Sequence, residues 1–198
     1  MTPLILASSS PYRQTLLDKL GLDFQVLSPN IDESALDGET PEDLVKRLAL
    51  AKAKAVATEY SGALIIGSDQ VAIAGDEAEK RVLTKPHNHQ NAVEQLRYSS
   101  GKNVSFLTSL CLYNSRADTH QLALVPFSVE FLELSDRQIN AYLQKEQPYN
   151  CAGSFKSEGL GITLFKRMTG DDPNSLIGLP LIALSRMLRN EGIEPLFQ

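Results

Sequence analysis

Residues 5–17 read ILASSSPYRQTLL. A short apolar run ends in three serines, a proline, a tyrosine and an arginine, and then takes up a helical spacing. Leu4 to Ala7 reads as a short buried strand. Ser8, Ser9 and Ser10 offer hydroxyls at a helix start, and Pro11 suits the first helical position. From Tyr12 onward, Leu16, Leu17 and Leu20 form an apolar helix face that Gly21 can stop. A strand-to-helix turn of this kind has two uses. The serines can simply cap the helix while Arg13 faces solvent. Alternatively, backbone N–H groups and hydroxyls at the positive helix end can receive phosphate oxygens, with Arg13 adding a charged fork. No GxxxxGK[ST] pattern is present, so this is not a P-loop.

Working outward, Phe24, Val26 and Leu27 suggest a second strand, leading to a loop with Asp32 and Glu33. Thr40 and Pro41 start a helix through Leu44, Leu48, Ala51 and Ala55 towards Tyr60, with Asp43 in a weak capping-box position. Ala63 to Ile66 reads as a central strand, with polar Gly67, Ser68, Asp69 and Gln70 beyond its end. The strand resumes through Val71 and Ile73 before a turn at Gly75–Asp76. Ala92 to Tyr98 is expected to be helical. Val104 to Tyr113 and Leu124 to Leu132 read as strands joined by a long polar turn. Ser135 and Gln138 form a capping box for a helix reaching about Lys145. Ile162 to Phe165 reads as a strand, and a last helix carries Ile182, Leu184, Met187 and Leu188. This alternation predicts an α/β protein with a mixed sheet and flanking helices, in a single domain over 1–198.

The 198 residues include 42% hydrophobic and 22% charged ones, an ordinary globular composition able to bury a core. Neither a signal peptide nor a membrane span is expected. The two cysteines, Cys111 and Cys151, suit packing in a reducing cytoplasm better than a disulfide framework. A net charge of -5 argues against sequence-blind binding of nucleic acid, yet a few cations in one place can hold a small phosphorylated ligand.

Asp69 is placed to hold a metal or activate water, and Asp32 and Glu33 form a second acidic pair. Either aspartate can instead cap a turn. Lys52 and Lys54 share an alanine-rich helix, on which Lys52 can reach inward while Lys54 faces water. Lys85 is held extended by Pro86, whereas Lys80 and Arg81 read as a solvated run. CAGSFKSEGLG is rich enough in glycine to turn tightly against a ligand. DDPNSLIGLP reads as structural packing, with a helix cap at Asn174 or Ser175. His87, His89 and His120 lack zinc-site spacing, and no G-x-S-x-G turn is present.

The ordered blocks ILASSSPYR, NIDES, KAKA, IIGSDQV, TKP, AGSFKSEG and DPNSLIGLP, spread along nearly the whole chain, resemble the Maf-like nucleotide pyrophosphatases, and most closely their 7-methyl-GTP (YceF) branch. The resemblance implies a mixed-sheet Maf-like fold with a cleft between two lobes. It also implies cleavage of a nucleoside triphosphate between the α and β phosphates, with a divalent cation such as Mg²⁺ or Mn²⁺. Such an activity would keep modified nucleotides out of nucleic acids. Asp69 falls on the family's catalytic aspartate, with Glu33 as the accompanying metal acid. Ser8, Arg13, Lys52 and Lys85 fall on the phosphate-binding positions, and Tyr12, Gln70 and Glu158 on those that separate substrate branches. A nucleoside triphosphate and a second copy of the chain are the implied partners. The same likeness leaves open dTTP and UTP as substrates, or a non-catalytic nucleotide-binding regulator of cell division. Thr84 stands where the family has glycine, after a longer turn, GDEAEKRVL.

Overall fold

The computed structural model describes residues 2–75 and 79–197. Asp76, expected in a turn, lies outside them. Among the described residues seven strands form one mixed sheet. They are β1 (Leu4–Ala7), β2 (Gln25–Leu27), β3 (Leu64–Ala74), β4 (Arg81–Leu83), β5 (Asn103–Asn114), β6 (Thr119–Phe131) and β7 (Phe165–Gly170). The order is β2-β1-β3-β5-β6-β7, with β4 on β3. β1 runs parallel to both β2 and β3, whereas β4 and β7 pair antiparallel. The helices are α1 (Pro11–Asp18), α2 (Pro41–Ala57), α3 (His89–Ser99), α4 (Asp136–Glu146), α5 (Pro173–Ile177) and α6 (Leu181–Asn190).

The chain divides into two compact units. The first comprises residues 1–70, 107–125 and 172–198, and the second 71–106 and 126–171. In the first unit, strand alternation sorts the core. Leu4, Leu6, Leu64 and Ile66 pack with Leu16 and Leu17 of α1 and Leu184, Met187 and Leu188 of α6. Their neighbours Ile5, Ala7 and Ile65 pack with Ala49, Ala53 and Val56 of α2. β1 and the first half of β3 are therefore covered on both faces, which is why they read as unbroken apolar runs, whereas β2 at the sheet edge is largely exposed. The second unit packs α3 against α4. Its core contains Phe106, Phe131 and Phe155, and half-buried Phe165 packs on them; these rings meet edge to face with centroids 4.9–5.7 Å apart.

Helix starts follow their expected chemistry. Ser10, Thr40 and Asn88 cap α1, α2 and α3, and Ser135 makes a full capping box with Gln138. Four expectations are corrected. First, β3 runs through Asp69 without a break, so that residue lies within the strand rather than beyond its end. Second, the turn between β5 and β6 is confined to residues 115–118, because polar residues at the strand ends join the antiparallel ladder. Asn114 and Ser115 tie that turn through their side chains. Third, residues 160–164 form a 3₁₀ turn and only Phe165 onward is strand; Thr163 Oγ1 donates to Leu160 O at 2.7 Å. Fourth, the cap of α5 is Asp172, not Asn174 or Ser175. Among the described residues no helix is long and apolar enough to cross a membrane.

Candidate active site

α2 places an apolar stripe on the sheet at Ala49, Ala53 and Val56, and Lys52 stands in that same stripe. Its ammonium is therefore carried into a buried position, with the side chain only 7% exposed. β3 answers it. Ile65, Gly67 and Asp69 alternate onto the side facing α2. A Cβ at Gly67 would overlap the Ala49 carbonyl oxygen and come within 3.1 Å of Ala53 N, so only glycine lets the α2 backbone come this close. One strand pitch further on, Asp69 Oδ1 accepts from Lys52 Nζ at 2.7 Å. The loop before α2 brings Glu33 Oε1 to 2.9 Å from the same Nζ. Lys54 points to solvent.

The loop acids have separate tasks. Asp32 Oδ1 accepts from Ser34 N at 2.9 Å, and hydrogen bonding from the side chain and then the backbone of Ser34 lowers the carboxyl's pKa. The structure thus decides Asp32 for turn capping. Glu33 alone meets Lys52. Arg47 secures the loop by donating to both oxygens of Glu39, at 2.6 and 2.8 Å, and to Ser34 O at 2.9 Å. The same fork holds the Glu39 carboxyl down at about 2.

Arg13, in the first turn of α1, is half-buried. Its Nε donates to Gly178 O at 2.8 Å, and Nη1 lies 3.5 Å from Ser8 Oγ. Burial lowers its pKa, while the charges of Asp69 and Glu33 oppose that shift, so both acids bear on this guanidinium. Ser8 is buried, and its Oγ accepts from Ser10 N at 3.1 Å, closing the turn. Tyr12 precedes Arg13 and is half-buried.

Ser68 and Gln70 point to the opposite side of β3 from Asp69. The single hydrogen of Ser68 Oγ is shared between Ser109 O and Gly178 O, at 2.8 and 2.9 Å. Gln70 Nε2 faces Thr108 Oγ1, Ser175 O and Leu176 O, at 2.9, 2.8 and 3.2 Å. An amide has two hydrogens, so these three acceptors occupy both, and the side-chain carbonyl is the part left for a ligand. The structure thus gathers Ser8, Arg13, Glu33, Lys52, Asp69 and Gln70 within the first unit. Lys85 and Glu158 belong to the second unit, and both are exposed. Glu158 Oε2 is 3.4 Å from Ser157 Oγ. Residues 84–89 are held by side chains and backbone. Gln95 Nε2 donates to Thr84 O at 3.0 Å, Asn91 Nδ2 to Pro86 O at 2.9 Å, and His87 N to Tyr149 O at 2.9 Å.

Sequence reasoning missed Ser68, Thr108, Ser175 and Gly178. It read the segment holding Ser175 and Gly178 as packing with a helix cap, without a link to the site. A buried serine flanked by strand residues was the available signal, because such a hydroxyl needs a partner.

The sequence profile described as Maf-like protein matches residues 3–191. The chain belongs to the Maf family. It is similar to the 7-methyl-GTP pyrophosphatase of Pseudoalteromonas translucida, with 57% identity over 98% of this chain and 94% of that protein. The protein of the same name from Colwellia psychrerythraea is 55% identical over 99% of this chain and 96% of its own length. For that of Pseudomonas aeruginosa the identity is 52%, over 98% and 99%. The Maf-like α/β fold with its mixed sheet agrees with what the motifs imply.

Two carboxylates converging on one ammonium form a donor set able to hold a small hard cation, which normally takes one or two carboxylates and completes its shell with water and phosphate oxygens. Among the described residues no group of three or more His, Cys, Asp or Glu side chains is arranged for a metal.

Proposed function

We propose that this chain hydrolyses 7-methyl-GTP between its α and β phosphates, releasing 7-methyl-GMP and pyrophosphate, with a divalent cation held by Asp69 and Glu33. The observation that carries the reading is the buried Lys52 ammonium between Asp69 and Glu33, in a chain similar along nearly its full length to proteins named for that reaction. Bound there, the cation would supply Lewis-acid charge against the phosphate oxygens.

The chain's own residues account for the remaining work. Asp69 accepts a proton from the water that attacks the α-phosphorus. The bond from that phosphorus to the α–β bridging oxygen breaks, and pyrophosphate leaves with the electron pair. Lys52 fixes the orientation of Asp69 and, with Arg13, balances negative charge moving onto the leaving group. Arg13 is suited to this because Gly178 O fixes its Nε, which sets the plane of the fork. Ser8 closes the turn beside it. Lys85 adds charge to the phosphates, an assignment made from its motif position.

Base recognition follows the chemistry of N7 methylation, which makes the guanine ring cationic. Tyr12 attracts that ring through its π face, a contact of ~0.5–2 kcal/mol depending on desolvation. Glu158 accepts from the guanine N–H edge and counters the ring charge. Gln70 contributes its side-chain carbonyl. The chain acts in the cytoplasm as a homodimer, which light scattering would check.

The test is a panel of 7-methyl-GTP, GTP, dTTP and UTP, each with Mg²⁺, Mn²⁺ or chelator, analysed for monophosphate, pyrophosphate and orthophosphate. Pyrophosphate from 7-methyl-GTP, dependent on the cation and reduced about 10²- to 10⁴-fold in Asp69→Asn, is the expected result. Orthophosphate as first product, a preference for dTTP or UTP, or cation-independent turnover would each overturn the corresponding part.

A further inference from the structure

From the hydrogen-bond network beneath the site we infer that Asp172 is a positioning residue, setting both the phosphate-binding Arg13 and the base-side Gln70 through the short helix α5. The inference deepens the proposed reaction and rests on that reading for the roles of Arg13 and Gln70.

Asp172 is a buried carboxylate, 2% exposed, that is met by two backbone N–H groups and one side-chain amide. Its Oδ1 accepts from Asn174 N and Asn174 Nδ2, both at 2.9 Å, and Oδ2 accepts from Ile182 N at 2.8 Å. One side chain therefore caps α5 and ties down the first turn of α6, fixing the chain on both sides of Gly178. A five-residue helix cannot hold its own shape by internal bonds, since nearly all its peptide groups are terminal. The end-carbonyls of α5 and its cap are what the site uses. Gly178 O takes Arg13 Nε and Ser68 Oγ, while Ser175 O takes Gln70 Nε2 and Thr108 Oγ1. Leu176 O takes Gln70 as well. Gly178 has φ 119, a conformation that favours glycine and turns its carbonyl out of the helix. Without Asp172, α5 loses its outer anchor and these carbonyls move together. Arg13 and Gln70 follow.

The test compares Asp172→Ala and Asp172→Asn with Ser135→Ala, which removes the capping box of α4 and touches no site residue. Each is measured for melting temperature, for kcat and KM on 7-methyl-GTP and GTP, and for the melting shift given by a non-hydrolysable α,β-methylene analogue of 7-methyl-GTP. At a temperature where each variant is folded, Asp172→Ala is expected to lose about 10- to 100-fold in kcat/KM. Its KM should rise and its preference for the methylated base should narrow. Asp172→Asn keeps one acceptor and should fall between it and wild type, while Ser135→Ala loses only thermal stability. If Asp172→Ala does not fold, the Asn variant carries the same reading. Folded Asp172 variants with wild-type KM, preference and analogue shift would overturn the inference. Should the wild type release no pyrophosphate, the proposed reaction fails, but a smaller analogue shift in the Asp172 variants would still uphold the positioning role. An equal shift would end it.

Discussion

Replacing Gly67 with alanine adds one methyl group where helix and strand backbones touch. That carbon would overlap the Ala49 carbonyl oxygen and lie 3.1 Å from both the Ala49 carbonyl carbon and Ala53 N. An ordinary contact needs about 3.5 Å, so α2 must withdraw by roughly 1.5 Å. No flexible side chain can give way, because every atom in the path is backbone. Overpacking of this kind costs ~1–3 kcal/mol, which for a chain of this size lowers the melting temperature by ~2–12 °C. The same withdrawal separates Lys52 Nζ from Asp69 Oδ1, now 2.7 Å apart, beyond hydrogen-bonding reach. Misplacement on this scale can lower turnover by about 10²-fold. Thermal unfolding and initial rates of pyrophosphate release, taken below the transition, measure the two effects separately. Wild-type values for both would refute the close approach of α2 and β3. A lowered melting temperature with an unchanged rate would leave the packing intact and refute the link from Lys52 to activity.

Glu158→Gln should weaken the preference for 7-methyl-GTP over GTP more than it weakens triphosphate binding; equal ratios in variant and wild type would remove Glu158 from base recognition. The Glu39 carboxyl sits at about 2 in the folded chain against an ordinary 4.5, so its contribution to stability is complete above about pH 4.5 and disappears as pH falls towards 2. Urea unfolding across that range should show this acid limb, and Arg47→Met should reduce it. Burial pushes the Cys111 thiol up to about 12, so at pH 8 its thiolate fraction is on the order of 10⁻⁴. A maleimide should therefore label at most Cys151 in the native chain, with Cys111 reacting only after denaturation; native labelling of both would contradict that burial.

Much of the candidate site was legible because it follows local periods. The alanine stripe of α2 distinguishes Lys52 from Lys54 by helical spacing alone. Ser10, Pro11 and Arg13 announce the turn that starts α1. Asp69 was recognised as a candidate, although its position inside β3 was not, because a polar run of Gly-Ser-Asp-Gln looks like the end of a strand. It remains strand because each polar side chain has a partner elsewhere: Lys52 for Asp69, Gly178 O for Ser68 and Ser175 O for Gln70. The choice between two roles for Asp32 also waited on tertiary geometry, since a carboxylate can cap its own loop or reach a distant cation with the same sequence around it.

By itself, the sequence determined the helix starts, the apolar strands, the inward lysine and the resemblance of the whole chain to one family. Those features depend on capping chemistry and on repeats of two or 3.6 residues, which act between near neighbours. Only the tertiary structure decided that Arg13, Ser68 and Gln70 are held by carbonyls of one short helix, and that Asp172 holds that helix. Arg13 and Gly178 stand 165 residues apart. A backbone carbonyl has no residue type, so such a bond has no period and no motif until folding brings its two ends together.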